Sequence, residues 1–189
     1  MLRPGFKALD PAECAKDKVF SIRRRRFATS NVPPMSSARP QPVVLLVEDS
    51  DDDAFFFKRT LRQAGFTGAL EHASDGGAAR AHLEKVAAGG SGAPPVPDLV
   101  FLDLKLPTFS GFEILEWIAT QHFNPPLDVA VLSGSEQSAD VSRAIALGAS
   151  TYYVKPILLQ QLKARLAAWQ ERQAASVPGH ASPPSAVRA

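Results

Sequence analysis

Short apolar runs alternate with amphipathic stretches through most of this chain. Five runs have the length and composition of buried strands, at residues 43–47, 70–73, 99–102, 129–132 and 151–154. The stretches between and after them predict helices over residues 51–64, 78–87, 111–120, 138–147 and 157–172. Strands that alternate with helices favour a parallel sheet with right-handed crossover connections. The pattern therefore predicts an α/β domain in which five helices flank a single five-stranded parallel sheet.

The helices have apolar faces, and the loops have breaker residues. The last helix repeats apolar residues at spacings of four, four and three, which predicts a core-facing stripe of Leu158, Leu162, Leu166 and Trp169. The inward residues predicted for the first and third helices are Phe57, Leu61 and Ala64, and Phe112, Leu115, Ile118 and Ala119. Asp75-Gly76-Gly77 predicts a turn, and residues 88–97, rich in Gly and Pro, predict a surface loop.

Charge divides the chain into a basic leader and a mildly acidic remainder. Residues 1–42 carry nine Lys and Arg against three Asp and Glu, whereas residues 43–189 carry twelve against sixteen. We therefore expect a disordered, Pro-rich leader at 1–42, a folded domain at 43–172 and a disordered tail at 173–189. Met35 is an alternative native start, which would leave only a short leader before the first strand.

Composition also narrows the class of function. An acidic domain does not suggest direct binding of nucleic acid. No apolar run approaches the roughly 20 residues of a membrane-spanning helix. The single cysteine, Cys14, excludes an internal disulfide framework and favours a reducing, cytoplasmic compartment. We expect a cytoplasmic protein without direct nucleic-acid or membrane partners.

Reactive side chains follow the predicted strands. Glu48 and Asp49 follow the first strand, Asp103 the third, Ser133 the fourth and Lys155 the fifth. Because the carboxyl ends of parallel strands share one edge of the sheet, we expect these side chains to lie close together. The carboxylates repel one another unless a cation intervenes, and oxygen ligands suit Mg²⁺. This set of residues predicts a site for phosphoryl transfer.

In this order and at this spacing, the residues make the region 43–172 resemble the receiver domain of two-component response regulators. The intervals of 30 residues from Asp103 to Ser133 and 22 from Ser133 to Lys155 are those of the family. The longer interval before Asp103 is accounted for by the insert at 88–97. The similarity extends to Asp75-Gly76, Pro107, Gly111 and Leu147-Gly148-Ala149. The resemblance implies a flavodoxin-like sheet of strand order 2-1-3-4-5. It is strongest to stand-alone, chemotaxis-regulator-like receivers, including those paired with bacterial phytochrome kinases.

The resemblance implies that Asp103 is the phosphoacceptor and that Mg²⁺ is the cofactor. Asp103 would take a phosphoryl group from a phosphohistidine on a sensor histidine kinase. Asp49, Asp103 and the backbone carbonyl of Lys105 would bind Mg²⁺ directly, and Glu48 would act largely through water. Lys155 would contact the phosphoryl oxygens. The protein would thus catalyse its own phosphorylation and dephosphorylation rather than act as an independent enzyme.

The resemblance also implies a switch. Ser133 would donate its hydroxyl to the phosphoryl group, Tyr152 would move inward with it, and the peptide bond before Pro156 would be cis. The face formed by residues 138–172 would then change. Its output would be a contact with a downstream protein, onward transfer to a phosphotransfer protein, or a homodimer. No DNA-binding domain is expected after residue 172.

Two other α/β classes do not fit these residues, and one alternative function remains. A haloacid-dehalogenase-type phosphatase needs a second acid two residues after its nucleophile, where Lys105 stands here. A flavodoxin needs a hydroxyl-rich phosphate loop after the first strand, which this chain lacks. The main alternative is a receiver-like module that retains the site but works by phosphate-independent protein binding.

Overall fold

The structure, a computed structural model, describes residues 41–175. Its strands are β1 (Val43–Val47), β2 (Ala69–Ala73), β3 (Leu99–Leu102), β4 (Val129–Ser133) and β5 (Thr151–Val154). Its helices are α1 (Asp51–Gln63), α2 (Gly76–Ala88), α3 (Gly111–Thr120), α4 (Ser138–Ala146) and α5 (Leu159–Ala175). The strands pair in parallel in the order β2-β1-β3-β4-β5, which confirms the predicted fold.

The structure describes the predicted domain at 43–172 but few residues on either side of it. Most of the leader predicted at 1–42 and of the tail predicted at 173–189 lies outside it. The last helix continues to Ala175, past the predicted domain end at residue 172. Among residues 41–175, no helix is long and apolar enough to cross a membrane.

The register of the central strands brings their carboxyl ends together. Val47, the last residue of β1, lies opposite Ala73 of β2 and Leu102 of β3. Every residue of β1, β3 and β4 is buried, because helices cover both faces of the sheet. Continuous apolar runs are therefore the expected sequence of these strands, and the residue after each one emerges at a common edge.

Two apolar layers hold the helices on the sheet. Alternate residues of the strands, such as Leu45 and Leu102, pack with α2, α3 and α4 on one face. The intervening residues, such as Leu46 and Phe101, pack with α1 and α5 on the other. The rings of Phe57 on α1 and Phe101 on β3 lie 4.8 Å apart between centroids. Burial of these large side chains fixes α1 against the sheet and so fixes the loop between β1 and α1.

The predicted stripe of the last helix is partly wrong. Leu162 and Leu166 are buried as predicted, and Trp169 is half-buried. Leu158 is instead 61% exposed, because α5 begins at Leu159, two residues after the predicted start, and Leu158 lies before the helix. The helix buries Arg165, which is 6% exposed and paired with the carboxylate of Asp128. A buried guanidinium requires such a partner, and periodicity does not reveal it.

Two other sequence predictions need correction. On α3, Ala119 is exposed, whereas Ile114 is buried together with Leu115. The predicted turn at Asp75-Gly76-Gly77 is partly wrong, because α2 begins at Gly76 and only Asp75 precedes the helix. The side chain of Asp75 caps this helix by accepting a hydrogen bond from the Ala78 N–H at 2.8 Å.

A tertiary contact explains why a glycine begins α2. A Cβ at Gly76 would lie 2.1 Å from the carbonyl oxygen of Phe109 in the loop between β3 and α3. Only glycine allows so close an approach of that loop to the helix. The start of α2 therefore packs on the loop that follows the β3 strand end.

Candidate functional site

The carboxyl edge of the sheet gathers charged side chains from three strand ends. Glu48 follows β1, Asp103 follows β3 and Lys155 follows β5. Glu48 is 1% exposed and Asp103 is 5% exposed, although both carry carboxyl groups. Carboxylates are rarely this deeply buried unless they are paired. The carboxyl edge of the sheet is therefore a structured polar site rather than a solvent-exposed loop.

Lys155 is the counter-charge at the centre of the site. Its Nζ lies 2.6 Å from Asp103 Oδ2, 2.6 Å from Glu48 Oε2 and 3.0 Å from Asp53 Oδ2. Burial alone would lower the pKa of this amine, but hydrogen bonds to the three carboxylates outweigh it and raise the pKa of Lys155 above its ordinary value. Lys155 is therefore an ammonium ion at any physiological pH.

The Lys155 ammonium only partly offsets the effect of burial on the Glu48 carboxyl group. Burial raises the pKa of Glu48, and its contacts with Lys155 oppose that rise without cancelling it. The Ser50 N–H also donates to Glu48 Oε1 at 3.3 Å. A buried carboxyl group whose pKa remains raised after pairing marks a position where further positive charge would be stabilising.

The acidic cluster has the donor set of a hard divalent cation. Glu48, Asp49 and Asp103 each offer a carboxylate oxygen within 4.8 Å of the others. Oxygen ligands at about 2.1 Å from an octahedral Mg²⁺ are at most about 4.2 Å apart, which is close to this spread. One ammonium stands against three carboxylates in this cluster, so their net charge is negative. The residues present therefore fit Mg²⁺.

Both oxygens of Asp103 are held in place. Oδ2 accepts from Lys155, and Oδ1 accepts from the backbone N–H of Lys105 at 3.0 Å. The Lys105 side chain itself is exposed. The role of the Lys105 carbonyl as a metal ligand stays a prediction. The peptide bond between Lys155 and Pro156 is cis in the structure.

Ser133 and Tyr152 both form hydrogen bonds with the backbone of Ser135 rather than with the acidic cluster. Ser133 is fully buried at the end of β4, and its Oγ accepts from the Ser135 N–H at 3.3 Å. The hydroxyl of Tyr152 donates to the Ser135 carbonyl at 2.9 Å. The hydroxyl of Ser135 donates to Asp140 Oδ2 on α4 at 2.5 Å. The β4–α4 loop thus links the two predicted switch residues to the start of α4.

Asp53 and Ser135 are the site residues that sequence reasoning missed. Asp53 stands in the first turn of α1, where an acid favours the helix N-terminus, yet it also contacts Lys155 across 102 positions of sequence. The available signal was the acidic run Asp51-Asp52-Asp53 directly after Glu48-Asp49, which keeps Asp53 near the carboxyl end of β1. Ser135 stands two residues after Ser133, and its hydrogen bonds depend on the packing of α4 and β5.

Comparison with known proteins places the chain in a family. A family model described as the response regulator receiver domain matches residues 44–167. The probable methanogenesis regulatory protein FilR2 of Methanothrix harundinacea (strain 6Ac) is 35% identical over 105 residues, which cover 56% of this chain and 66% of that protein. The chain therefore spans slightly less than two thirds of the length of this relative.

Solved structures show the same fold. The Mn(2+)-bound form of response regulator Rcp1 is 29% identical with a TM-score of 0.55, and the match covers 73% of this chain and 97% of that one. The bacteriophytochrome response regulator AtBRR is 26% identical with a TM-score of 0.59, and the match covers 69% of this chain and 93% of that one.

Proposed function

Because this chain belongs to the response regulator receiver domain family, we propose that Asp103 accepts a phosphoryl group from a phosphohistidine of a sensor histidine kinase in a Mg²⁺-dependent reaction. The observation that carries this proposal is the 2.6 Å contact between Lys155 Nζ and Asp103 Oδ2 beside the acidic cluster. A buried carboxylate between an ammonium and two further acids is an expensive arrangement for stability alone. Such an arrangement suits phosphoryl transfer to Asp103, because positioned charges carry most of the catalysis of this reaction.

The transfer needs little from the protein beyond position and charge. An oxygen of Asp103 forms a bond to phosphorus while the phosphorus–nitrogen bond of the donor breaks, and the imidazole leaves with the bonding pair and takes up a proton. Lys105 N–H and Lys155 orient the carboxylate for this attack. Asp49, Asp103 and the Lys105 carbonyl would hold Mg²⁺ directly, and Glu48 would act largely through water. The ion would supply charge neutralisation at the phosphoryl oxygens.

The proposal of Mg²⁺ has two supports. The carboxylate donor set fits a hard cation of this size. The related regulator Rcp1 is described in an Mn(2+)-bound form, and the match covers nearly all of that chain. Proteins that bind Mn²⁺ through oxygen ligands commonly accept Mg²⁺, because both ions prefer octahedral sites of oxygen donors.

The phosphodonor has to reach Asp103 across the edge between α1 and the turn before α5. Two apolar side chains are exposed at this edge, Phe56 at 56% and Leu158 at 61%. Phe56 also lines a cavity of about 50 Å³ beside Lys155 and Pro156. Exposed apolar groups next to a buried reactive carboxylate suit a transient protein partner. We therefore propose this edge as the docking surface of the kinase or of a phosphotransfer protein.

The output follows from the hydrogen bonds of the β4–α4 loop. A phosphoryl group on Asp103 attracts the Ser133 hydroxyl, which is now held by Ser135. Ser135 is in turn bonded to Tyr152 and to Asp140 on α4. Movement of this loop is therefore coupled to the face of residues 138–172. That face would signal to a downstream protein or form a homodimer.

We also propose the class of kinase that supplies the phosphoryl group, from the similarity to a solved response regulator. The likeness to AtBRR, described as a bacteriophytochrome response regulator, supports a phytochrome kinase as the phosphodonor. The reaction would take place in the cytoplasm, where such kinases hold their phosphohistidine.

The test is phosphorylation by acetyl phosphate, with and without Mg²⁺, followed by intact-protein mass spectrometry and size-exclusion chromatography. We expect labelling that requires Mg²⁺, that is lost in Asp103→Asn and that is retained in the exposed matched control Asp52→Asn. A change in elution on phosphorylation would identify dimerisation as the output. A folded wild-type protein that is never labelled would refute the proposal and favour the phosphate-independent module.

A further inference from the structure

Lys155 has a third partner that lies outside the acidic cluster. Its Nζ is 3.0 Å from Asp53 Oδ2 on α1, in addition to its contacts with Glu48 and Asp103. The groups able to share one metal ion are Glu48, Asp49 and Asp103, and Asp53 is not among them. Asp53 therefore competes with Glu48 and Asp103 for the Lys155 ammonium, although it is not part of the candidate metal site found among the described residues.

The backbone holds Asp53 in this position. Its N–H donates to the Oγ of Ser50, which caps the N-terminus of α1, at 3.3 Å. Buried Ala54 and Phe57 fix the same turns of the helix against the sheet. The carboxylate is 47% exposed, whereas Lys155 is 14% exposed, so Asp53 approaches the ammonium from the solvent side. Its negative charge is favoured there by the helix dipole.

This geometry predicts competition after phosphorylation. In the proposed function, Lys155 has to contact the phosphoryl oxygens, and a bound metal ion would engage Glu48 and Asp103. Asp53 is then the carboxylate that remains beside the ammonium. An ammonium is a compact charge with three donors, and a second anion beside it weakens the attraction for the first.

We propose that Asp53 is a positioning residue that shares Lys155 with the phosphoryl group and thereby limits how tightly the site holds that group. This inference rests on the proposed function, because it assumes that Asp103 is the phosphoacceptor. Removal of the Asp53 charge should strengthen binding of a phosphoryl mimic and leave Mg²⁺ binding nearly unchanged. A merely structural role in the start of α1 would not separate these two affinities.

The experiment compares Asp53→Asn with Asp52→Asn. Asp52 is exposed in the same helical turn and carries the same charge, and the three acceptors of Lys155 do not include it. Beryllofluoride affinity in saturating Mg²⁺ and Mg²⁺ affinity alone would be measured by intrinsic fluorescence or calorimetry. For a partly exposed ion pair we expect Asp53→Asn to bind beryllofluoride about two- to fivefold more tightly than wild type, and Asp52→Asn to equal wild type.

A double-mutant comparison makes the test specific. In a Lys155→Ala background, Asp53→Asn should no longer change beryllofluoride affinity, because the shared ammonium is absent. Equal effects of Asp53→Asn and Asp52→Asn, or an effect that persists without Lys155, would overturn the inference. Failure of the wild-type protein to bind beryllofluoride in Mg²⁺ would instead refute the proposed function. The two failures are therefore distinguishable.

Discussion

Gly111, the first residue of α3, packs directly on the backbone of the proposed phosphoacceptor. A Cβ at this position would lie 2.2 Å from the carbonyl oxygen of Asp103, 2.8 Å from the Cα of Leu104 and 2.9 Å from the carbonyl carbon of Asp103. All three are backbone atoms, so no flexible side chain can turn away to make room. The Gly111 N–H also donates to the Leu104 carbonyl at 3.0 Å, which holds the two segments together. Gly111→Ala therefore has to displace either α3 or the strand end.

The cost of this displacement follows from what holds each side. Ile114 and Leu115 anchor α3 in the core at 1% exposure each. An ordinary contact of a Cβ begins at about 3.4 Å, so relief of the overlap with the Asp103 carbonyl needs a shift of about 1 Å, and overpacking of this kind costs about 1–3 kcal/mol. We expect Gly111→Ala to lower the free energy of unfolding by about 2 kcal/mol, which is roughly a 30-fold change in the folding equilibrium.

Urea unfolding followed by circular dichroism measures this loss, and Gly134→Ala is the matched control. A Cβ at Gly134 would meet no atom within 4 Å, so this variant should be as stable as wild type or more stable by about 0.4–1 kcal/mol. Gly111→Ala should also be labelled more slowly by acetyl phosphate, because its backbone contact is with Asp103. Wild-type stability and labelling of Gly111→Ala would refute the reasoning, since the close approach would then be absent.

Two further predictions concern charge. Lys155→Ala leaves the buried acids without their ammonium, so we expect the free energy of unfolding in EDTA to fall by about 3 kcal/mol. Excess Mg²⁺ should restore much of this stability. Urea midpoints that do not respond to Mg²⁺ would contradict a metal site among these acids. Hydrogen bonds from the backbone N–H and hydroxyl of Ser110 lower the pKa of Glu113. This stabilisation is present above the ordinary pKa of 4.5 in the unfolded chain and is lost as the pH falls through the lower pKa of the folded state. The difference in urea midpoint between wild type and Glu113→Gln should therefore shrink from neutral to strongly acidic pH. A constant difference would count against the hydrogen bonds between Ser110 and Glu113.

The sequence alone determined the fold and the membership of the acidic cluster. Buried parallel strands are continuous apolar runs, and residues 43–47, 99–102 and 129–132 show this pattern locally. Because parallel strands present their carboxyl ends at one edge, the position of Glu48, Asp103 and Lys155 after such runs predicts that they meet there. The register of the sheet places them so, and the ammonium contacts both acids.

Only the tertiary structure decided the contacts that depend on packing. Asp53 and Lys155 are 102 positions apart, and the packing of α1 on the sheet brings them together. Leu158 fits an apolar period yet is exposed, whereas Arg165 does not fit the period and is buried against Asp128. Helical and strand periods report which face of a local element is apolar. They carry no information on which distant group compensates a charge, because that depends on how whole elements pack together.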